Sequence, residues 1–303
     1  MRKFAILAAV LLAAGLLGFG LLTRPNPVVW LAVSGRIADV EAGRTLFYAG
    51  GCASCHAAPG AKGDAKLTLA GGLRLDTPFG VFVAPNISPD PQAGIGAWSD
   101  ADFVNAMTRG LSPEGRHYYP AFPYTSYQRM TPGDLMDLKA FLETLPTVAV
   151  RAPDHELKFP YSFRRGLGLW KLLYLDGRPF SPEPGKSAVY NRGKYLVTGP
   201  GHCGECHTRR DAFGGADPAA WLAGAPALEG KGFVPNLTPH ADGLKSWSPV
   251  DIAYYLETGF TPDYDSVGGA MVAVQDNLAH LPEEDRQAIA AYLSEIPALA
   301  KAR

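Results

Sequence analysis

The chain has 303 residues, of which 47% are hydrophobic and 19% charged, and its 28 basic and 29 acidic side chains nearly balance. This composition excludes an intrinsically disordered chain and lacks the basic excess of a nucleic-acid-binding protein. Its 34 glycines and 26 prolines make up nearly a fifth of the sequence without a fixed period, which predicts short helices joined by long loops.

The first predicted element is an uncharged run from Phe4 to Leu22, preceded by Arg2 and Lys3. A helix of this length spans about 28 Å, close to the hydrocarbon thickness of a bilayer. Basic residues ahead of such a run keep the N-terminus in the cytoplasm. A cleaved signal peptide usually has a shorter apolar region and a small-residue cleavage site. We therefore favour an uncleaved membrane anchor at residues 1–24 over a cleaved signal.

The rest of the chain repeats itself in order. The segment GCASCH at 51–56 recurs as HCGECH at 202–207, and Leu-Ala-Gly, Pro-Asn and Trp-Ser segments follow in both halves. Such ordered self-similarity is the mark of a duplicated structural unit. We predict one unit at 35–148, a linker at 149–187 and a second unit at 188–298.

Each unit has the hydrophobic spacing of three helices, and strand signals are sparse. The fold class is therefore predicted to be all-α, with short helices and long loops in each unit and a further short helix at 163–175 in the linker. The predicted helices are Val40–Ala49, one capped by Ser99 and Thr131–Leu145 in the first unit, and Tyr190–Thr198, one capped by Ser248 and Pro282–Ile296 in the second.

All four cysteines fall in C-x-x-C-H motifs, one in each unit. Cysteines three positions apart on a short helix can bond both vinyl groups of a haem, and the histidine that follows can bind its iron. A four-cysteine zinc site is disfavoured because Cys55 and Cys203 are 148 positions apart, whereas zinc pairs lie about 15–20 residues apart. A thioredoxin-like redox dithiol is disfavoured as well, because the sequence lacks the βαβ pattern in which such dithiols occur. The motifs predict two covalently bound haem c groups, held by Cys52, Cys55 and His56 and by Cys203, Cys206 and His207.

A second iron ligand is expected on the opposite face of each haem, often a methionine. Met271 is the candidate in the second unit, where it follows a Gly-rich stretch. The first unit has Phe122 in the corresponding stretch, so Met130 is our first choice there. His117 and an iron with an open sixth position remain alternatives.

Other side chains are predicted to surround the haems. Trp98 and Trp247 occupy matching positions and are expected to pack against the haems, with an indole N–H available to a propionate. Arg209 and Arg210, just after the second motif, are expected either to pair with propionates or to be solvated.

The chain resembles the multi-haem cytochrome c subunits of bacterial membrane-bound periplasmic dehydrogenases, the alcohol and aldehyde dehydrogenase type. The resemblance covers about residues 35–298 and rests on HCGECHTRR at 202–210, on the Pro-Asn and Trp-Ser segments, and on YPAFPY at 119–124. The best-known members carry three haems, whereas this chain has two motifs. Related domains can carry Met as the fourth residue of the YPAxPY stretch, where this chain has Phe122.

The resemblance implies a tandem pair of cytochrome c-like domains anchored in the bacterial inner membrane and exposed to the periplasm. Electrons would come from the catalytic subunit of a partner dehydrogenase and pass to quinone, another cytochrome c or a terminal oxidase. We accordingly predict an electron-transfer subunit rather than an enzyme, since the sequence supplies no nucleophile–base pair or phosphate loop. The alternatives are a di-haem enzyme, such as a thiosulfate dehydrogenase or peroxidase, and a di-haem subunit of a respiratory oxidase.

Overall fold

The computed structural model describes residues 1–28, 36–227 and 232–301, and residue 35, the predicted start of the first unit, lies outside them. Its first helix, α1 (Arg2–Leu22), has no buried residue. At 1.5 Å per residue, α1 is about 30 Å long. Within the described ranges it is the one helix long and apolar enough to cross a bilayer. This helix is therefore a candidate membrane anchor.

In the first half, one helix begins at Val40 and another directly after its Ser99 cap, both as predicted. The Asp39 carboxylate accepts hydrogen bonds from two backbone N–H groups of the first turn at 40–49. The Ser99 hydroxyl accepts from the Asp102 N–H while the Asp102 carboxylate accepts from the Ser99 N–H, which fixes the start of the middle helix. The helices of this half are α2 (Val40–Ala49), α3 (Cys52–His56), α4 (Asp100–Arg109), α5 (Tyr124–Tyr127) and α6 (Pro132–Glu143).

The helix α7 (Leu167–Tyr174) follows and confirms the predicted short helix at 163–175. In the second half the Ser187 hydroxyl caps a helix that begins two residues earlier than predicted. Ser248 and Asp251 form the same reciprocal cap as in the first half. The helices of this half are α8 (Ala188–Thr198), α9 (Gly204–His207), α10 (Pro249–Thr258), α11 (Met271–Leu278) and α12 (Glu283–Glu295).

The structure is mostly helical, as predicted, and two small antiparallel sheets that the sequence does not indicate accompany the helices. In the first sheet the Arg74 guanidinium makes two 2.8 Å hydrogen bonds to the Glu156 carboxylate across the strands. Strands of two to four residues are too short to leave an alternating pattern in the sequence, which is why pattern analysis passes over them. The sheets are β1 (Arg74–Thr77), β2 (Gly80–Val83) and β3 (Glu156–Leu157), and β4 (Ala225–Pro226) with β5 (Phe233–Val234).

Two apolar cores hold the helices together, and each takes a residue from the other half. Ala49 at the end of α2 belongs to the core of the second half, and Tyr195 of α8 belongs to the core of the first. The Tyr195 hydroxyl also donates to the Asp134 carboxylate and accepts from the Thr131 N–H. The halves therefore share their interiors.

Glycine lets the first and last helices of each half cross closely. A Cβ added at Gly43 would lie 1.9 Å from the carbonyl oxygen of Asp137, where α2 crosses α6. A Cβ added at Gly193 would lie 1.8 Å from the carbonyl oxygen of Ala288, where α8 crosses α12. No side chain fits at either crossing, so both positions require glycine.

We expect Gly43→Ala and Gly193→Ala each to lower the free energy of unfolding by about 1–3 kcal/mol, because the helices must move apart. Helix propensity alone predicts the opposite sign, a gain of about 1 kcal/mol. Urea unfolding of the full-length protein in detergent, followed by circular dichroism, measures the change. The exposed neighbour variant Arg44→Ala should stay within about 0.5 kcal/mol of wild type. Increased stability of both glycine variants would contradict the close crossings.

Candidate functional site

Each cysteine pair lies on a single turn of helix. Cys52 begins α3, and Cys203 is the residue before α9. In each pair the first cysteine is half-buried and the second, Cys55 or Cys206, is exposed. Burial raises the pKa of the Cys52 and Cys203 thiols to about 12, with the neighbouring cysteine adding to the effect. Both first cysteines thus lie in surroundings of low polarity.

The zinc interpretation also lacks a ligand set. In the described parts of the chain, no three His, Cys, Asp or Glu side chains come together in a group that could hold a metal ion. What the structure offers instead, twice, is a pair of thiols on one helical turn followed by one histidine, which is the donor set of a covalently attached haem.

The two motif histidines have the same orientation. The Nδ1 atom of His56 lies 2.8 Å from the carbonyl oxygen of Pro85, and that of His207 lies 2.7 Å from the carbonyl oxygen of Pro235. A carbonyl can only accept, so Nδ1 carries the proton and Nε2 keeps its lone pair. Burial lowers the pKa of both histidines, which keeps the imidazoles neutral. Each ring therefore has an unprotonated Nε2, which could coordinate a metal.

A repeated glycine brings each histidine next to its carbonyl partner. The Gly71 N–H donates to the His56 carbonyl at 2.7 Å, and the Gly224 N–H donates to the His207 carbonyl at 2.8 Å. Both glycines have positive φ, 71° and 86°. A Cβ on Gly71 would lie 2.5 Å from the Ala84 carbonyl oxygen, so the two chain segments touch there. The repeated Leu-Ala-Gly segment is thus part of the histidine's support.

A repeated asparagine fixes the loop that carries the proline carbonyl. The Asn86 side chain accepts from the Ser88 N–H and donates to the Val148 carbonyl at 2.7 Å. The Asn236 side chain accepts from the Thr238 N–H and donates to the Leu299 carbonyl at 2.7 Å. The Pro-Asn repeat is visible in the sequence but carries no evident role there; its recurrence after both motifs is the signal that could have identified it.

The methionine candidates lie in different surroundings. Met130 is 2% exposed and belongs to the core of the first half, which Cys52 borders. Met107 and Met136 contact the same core and are less deeply buried than Met130. Met271 is half-buried against the second core and begins α11, where the sequence indicates only a Gly-rich loop. These positions leave both methionines as predicted ligands.

His117 is unsuited to iron binding because both of its ring nitrogens have partners. Its Nε2 donates to the Thr23 carbonyl at 2.9 Å, and its Nδ1 lies 3.2 Å from the Lys171 Nζ. The ring is 5% exposed at the base of α1. Its place is structural, between the anchor and the folded body.

The residues predicted to surround the haems have contacts within the protein. Trp98 and Trp247 are half-buried against the first and second cores, in matching positions. Arg209 is paired with Asp217 through hydrogen bonds of 2.9 and 2.7 Å and is largely exposed. Arg210 instead pairs with Glu205, inside the second motif. The packing of the tryptophans against haems stays a prediction, and Arg209 already has a carboxylate partner.

Each motif contacts the opposite half through a residue that lies between its two cysteines. The Ser54 hydroxyl accepts from the Asn277 side chain of α11 at 2.9 Å. One Glu205 carboxylate oxygen accepts from the Thr125 and Ser126 hydroxyls of α5, both at 2.8 Å. Burial would raise the pKa of Glu205, but the Arg210 guanidinium and these hydroxyls outweigh it and lower the pKa overall. The two motifs are therefore fixed relative to one another.

The segments that lead into the motifs also meet. A Cβ on Gly50 would lie 3.5 Å from the Cys52 Sγ and 3.5 Å from the Pro200 carbonyl oxygen. Beside this contact, the Tyr127 and His202 rings stack with centroids 5.6 Å apart. The contact between halves thus passes directly beside the cysteines.

Comparison with known proteins identifies cytochrome c relatives of the chain. The cytochrome c family model matches residues 40–146. A diheme cytochrome c-type protein of Cereibacter sphaeroides is 52% identical over 294 residues, 96% of this chain and 97% of that protein. A nicotinate dehydrogenase subunit of Pseudomonas putida is 40% identical over 282 residues, 90% of this chain and 22% of that protein. The fructose dehydrogenase cytochrome subunit of Gluconobacter japonicus is 35% identical over 304 residues, 99% of this chain and 61% of that protein.

The relative from Cereibacter sphaeroides is matched along nearly its whole length, whereas the chain spans less than two thirds of the other two. The predicted resemblance to dehydrogenase cytochrome c subunits is confirmed. A cytochrome c domain binds haem c covalently, which agrees with the donor set built by the first motif. This chain belongs to the cytochrome c family.

Proposed function

We propose that the chain is a membrane-anchored electron carrier made of two cytochrome c domains in tandem, at 35–148 and 188–298, joined by the segment 149–187. Each domain would hold one haem c. The carrier would take electrons from the catalytic subunit of a periplasmic dehydrogenase and deliver them to quinone, another cytochrome c or a terminal oxidase. It would work from the bacterial inner membrane, anchored by α1.

The observation that carries the proposal is the duplicated histidine geometry. His56 and His207 each follow a cysteine pair, and each has Nδ1 bound to a proline carbonyl with Nε2 left to coordinate. If these histidines were only structural, there would be no reason for both to follow a cysteine pair and to leave Nε2 unbonded in the same way. The 52% identity to a diheme cytochrome, over 97% of that protein's length, also supports two haems.

The chain's own residues would divide the work. Cys52 with Cys55, and Cys203 with Cys206, would form the thioether bonds, and the two motif histidines would bind iron through Nε2. Haem c supplies an iron that gains and releases one electron at a time. Met271 and Met130 would complete the coordination, and a thioether ligand there favours the reduced state and raises the potential. Trp98 and Trp247 would shield the sites from water, and Arg209 would lie near the second haem.

The contacts between the halves would let one chain pass electrons between its two sites. Ser54 with Asn277, and Glu205 with Thr125, bind each motif to a helix of the opposite half. Because each motif is held by the other half, the spacing of the two sites is set within the folded body. An electron entering at one site would reach the other without a separate docking event.

The proposed electron donor, a dehydrogenase, is suggested by the names of the relatives. One is named as a fructose dehydrogenase cytochrome subunit and another as a subunit of nicotinate dehydrogenase. These names favour a carrier that serves a dehydrogenase over a di-haem enzyme or an oxidase subunit. We accordingly propose no substrate chemistry for this chain itself.

The double variants Cys52→Ala/Cys55→Ala and Cys203→Ala/Cys206→Ala should each lose one of two haems, because each pair attaches its own. The intact mass should show one attached haem instead of two, and the absorbance of the denatured haem per mole of protein should fall to about half the wild-type value. Ser54→Ala, between the cysteines of the first pair, should keep both haems. Retention of two attached haems in either double variant would refute the assignment.

Met271→Ala should remove the absorption band of methionine-bound ferric iron from one haem and lower that haem's reduction potential, because a thioether ligand raises it. Met130→Ala should do the same for the other haem, while Met136→Ala should change neither the band nor the potentials. Redox titration followed by absorption measures both properties. An unchanged spectrum and potential in a ligand variant would exclude that methionine.

The full-length protein, isolated from its native membranes in mild detergent, should retain a dehydrogenase catalytic subunit. Addition of that subunit's substrate should reduce both haems of the wild type and the remaining haem of the Cys203→Ala/Cys206→Ala variant. Absorption difference spectra measure the reduction. Turnover of thiosulfate or hydrogen peroxide by the isolated chain, with no dehydrogenase attached, would favour the enzyme alternative instead.

A further inference from the structure

The candidate membrane anchor is fixed to the folded body at its last turn. Thr23, the residue after α1, is fully buried, and its carbonyl accepts from the His117 Nε2 at 2.9 Å. Arg165 donates through Nε to the Thr23 hydroxyl at 2.8 Å and through Nη2 to the Gly20 carbonyl at 2.9 Å. These carbonyls are among those that a helix leaves unpaired at its C-terminal end, which a cation also stabilises. The helix therefore leaves the body at a defined place.

The helix α7 packs directly against this place. A Cβ added at Gly168 would lie 2.5 Å from the Thr23 Cα, so the two backbones touch. Next to this contact, the Phe19 and Phe163 rings stack with centroids 5.9 Å apart. The position of α7 along the axis of α1 is thus set at the end of the apolar span.

One side of α7 is bound to the body. Gly168 and Lys171 are buried, and the Lys171 Nζ donates to the carbonyls of Arg109 and Gly110 at 2.7 and 2.8 Å. These bonds fix the rotation of α7 about its own axis. The residues on the opposite side of the helical projection therefore face away from the body.

The outward side of α7 is apolar. Leu169, Leu172 and Leu173, at the helical spacing of one face, are 40%, 61% and 67% exposed. Phe163, which stacks on α1, is 55% exposed and continues this face toward the anchor. We call these four residues the α7 apolar surface.

We propose that the α7 apolar surface inserts into the bilayer that α1 spans, at the boundary between headgroups and acyl chains on the periplasmic side. The proposal rests on the proposed anchoring by α1. A helix about 30 Å long brings its last turn to the edge of the hydrocarbon core, and the α7 apolar surface is in contact with that turn. Amphipathic helices bury such faces a few ångströms below the headgroups.

The surrounding charges suit a lipid surface. Arg24 directly follows the span, and Lys158 and Arg178 flank the segment that contains α7, all three exposed. Basic side chains beside an apolar helix face favour anionic headgroups. With α1 and α7 both in the membrane, the folded body would have one fixed orientation on the bilayer rather than free rotation about a tether.

The test compares the reactivity of single introduced cysteines toward a charged, membrane-impermeant maleimide. The full-length haem-loaded protein is placed in vesicles of phosphatidylethanolamine and phosphatidylglycerol. The variants are Leu173→Cys and Leu172→Cys in the α7 apolar surface, Leu11→Cys within α1, and Val250→Cys on α10 as a matched control. Leu173 and Val250 have similar exposure in the protein, 67% and 75%, so only the lipid should separate them. Haem absorption checks that each variant is folded.

We expect Leu173→Cys and Leu172→Cys to react on the order of tenfold more slowly than Val250→Cys, because the reactive thiolate is disfavoured away from water. Equal rates at 173, 172 and 250, with Leu11→Cys still protected, would overturn the proposal and leave the anchor intact. Fast reaction at Leu11→Cys as well would overturn both. The same labelling is repeated in native membranes. If Leu173→Cys were protected there but not in the pure lipid vesicles, the proposal would also be overturned, and a protein partner would cover this surface.

Discussion

The structure depends on one hydrogen bond made twice, from a histidine Nδ1 to the carbonyl of a proline that lies 28 or 29 residues further along the chain. It decides which nitrogen of His56 and of His207 can coordinate. The Leu-Ala-Gly turn and the Pro-Asn loop both support this bond, the first from the motif side and the second from the carbonyl side. The long Gly- and Pro-rich loops thus serve to place a single acceptor.

The second constraint is the contact between the halves. Each motif uses its own internal residue, Ser54 or Glu205, to bind the opposite half, so the same short helical turn carries two cysteines, a histidine and an interface. The residues chosen differ, a neutral hydroxyl on one side and a carboxylate paired with Arg210 on the other. The two sites therefore share a plan and have different electrostatic surroundings.

Much of this arrangement is readable from the sequence because it rests on local signals. Ser99 and Ser248 mark helix starts through capping, and the C-x-x-C-H motifs identify the donor set. The carbonyls of Pro85 and Pro235 could not be predicted, since a backbone acceptor has no residue signature of its own. The two strands at 74–83 could not be predicted because each has only four residues, too few for a recognisable alternating pattern. The packing of α7 on Thr23 could not be predicted either, because the two segments are about 145 residues apart and no sequence pattern links them.

The exchange of Ala49 and Tyr195 between the two cores has a consequence for how the duplicated chain behaves as a molecule. Neither half encloses a complete interior, so a cut within 149–187 would leave each fragment with exposed apolar surface and an unfilled position. The two halves are therefore packed as one body. A substitution that disturbs either core should lower the stability of both halves, including the loops that hold the motif of the other half.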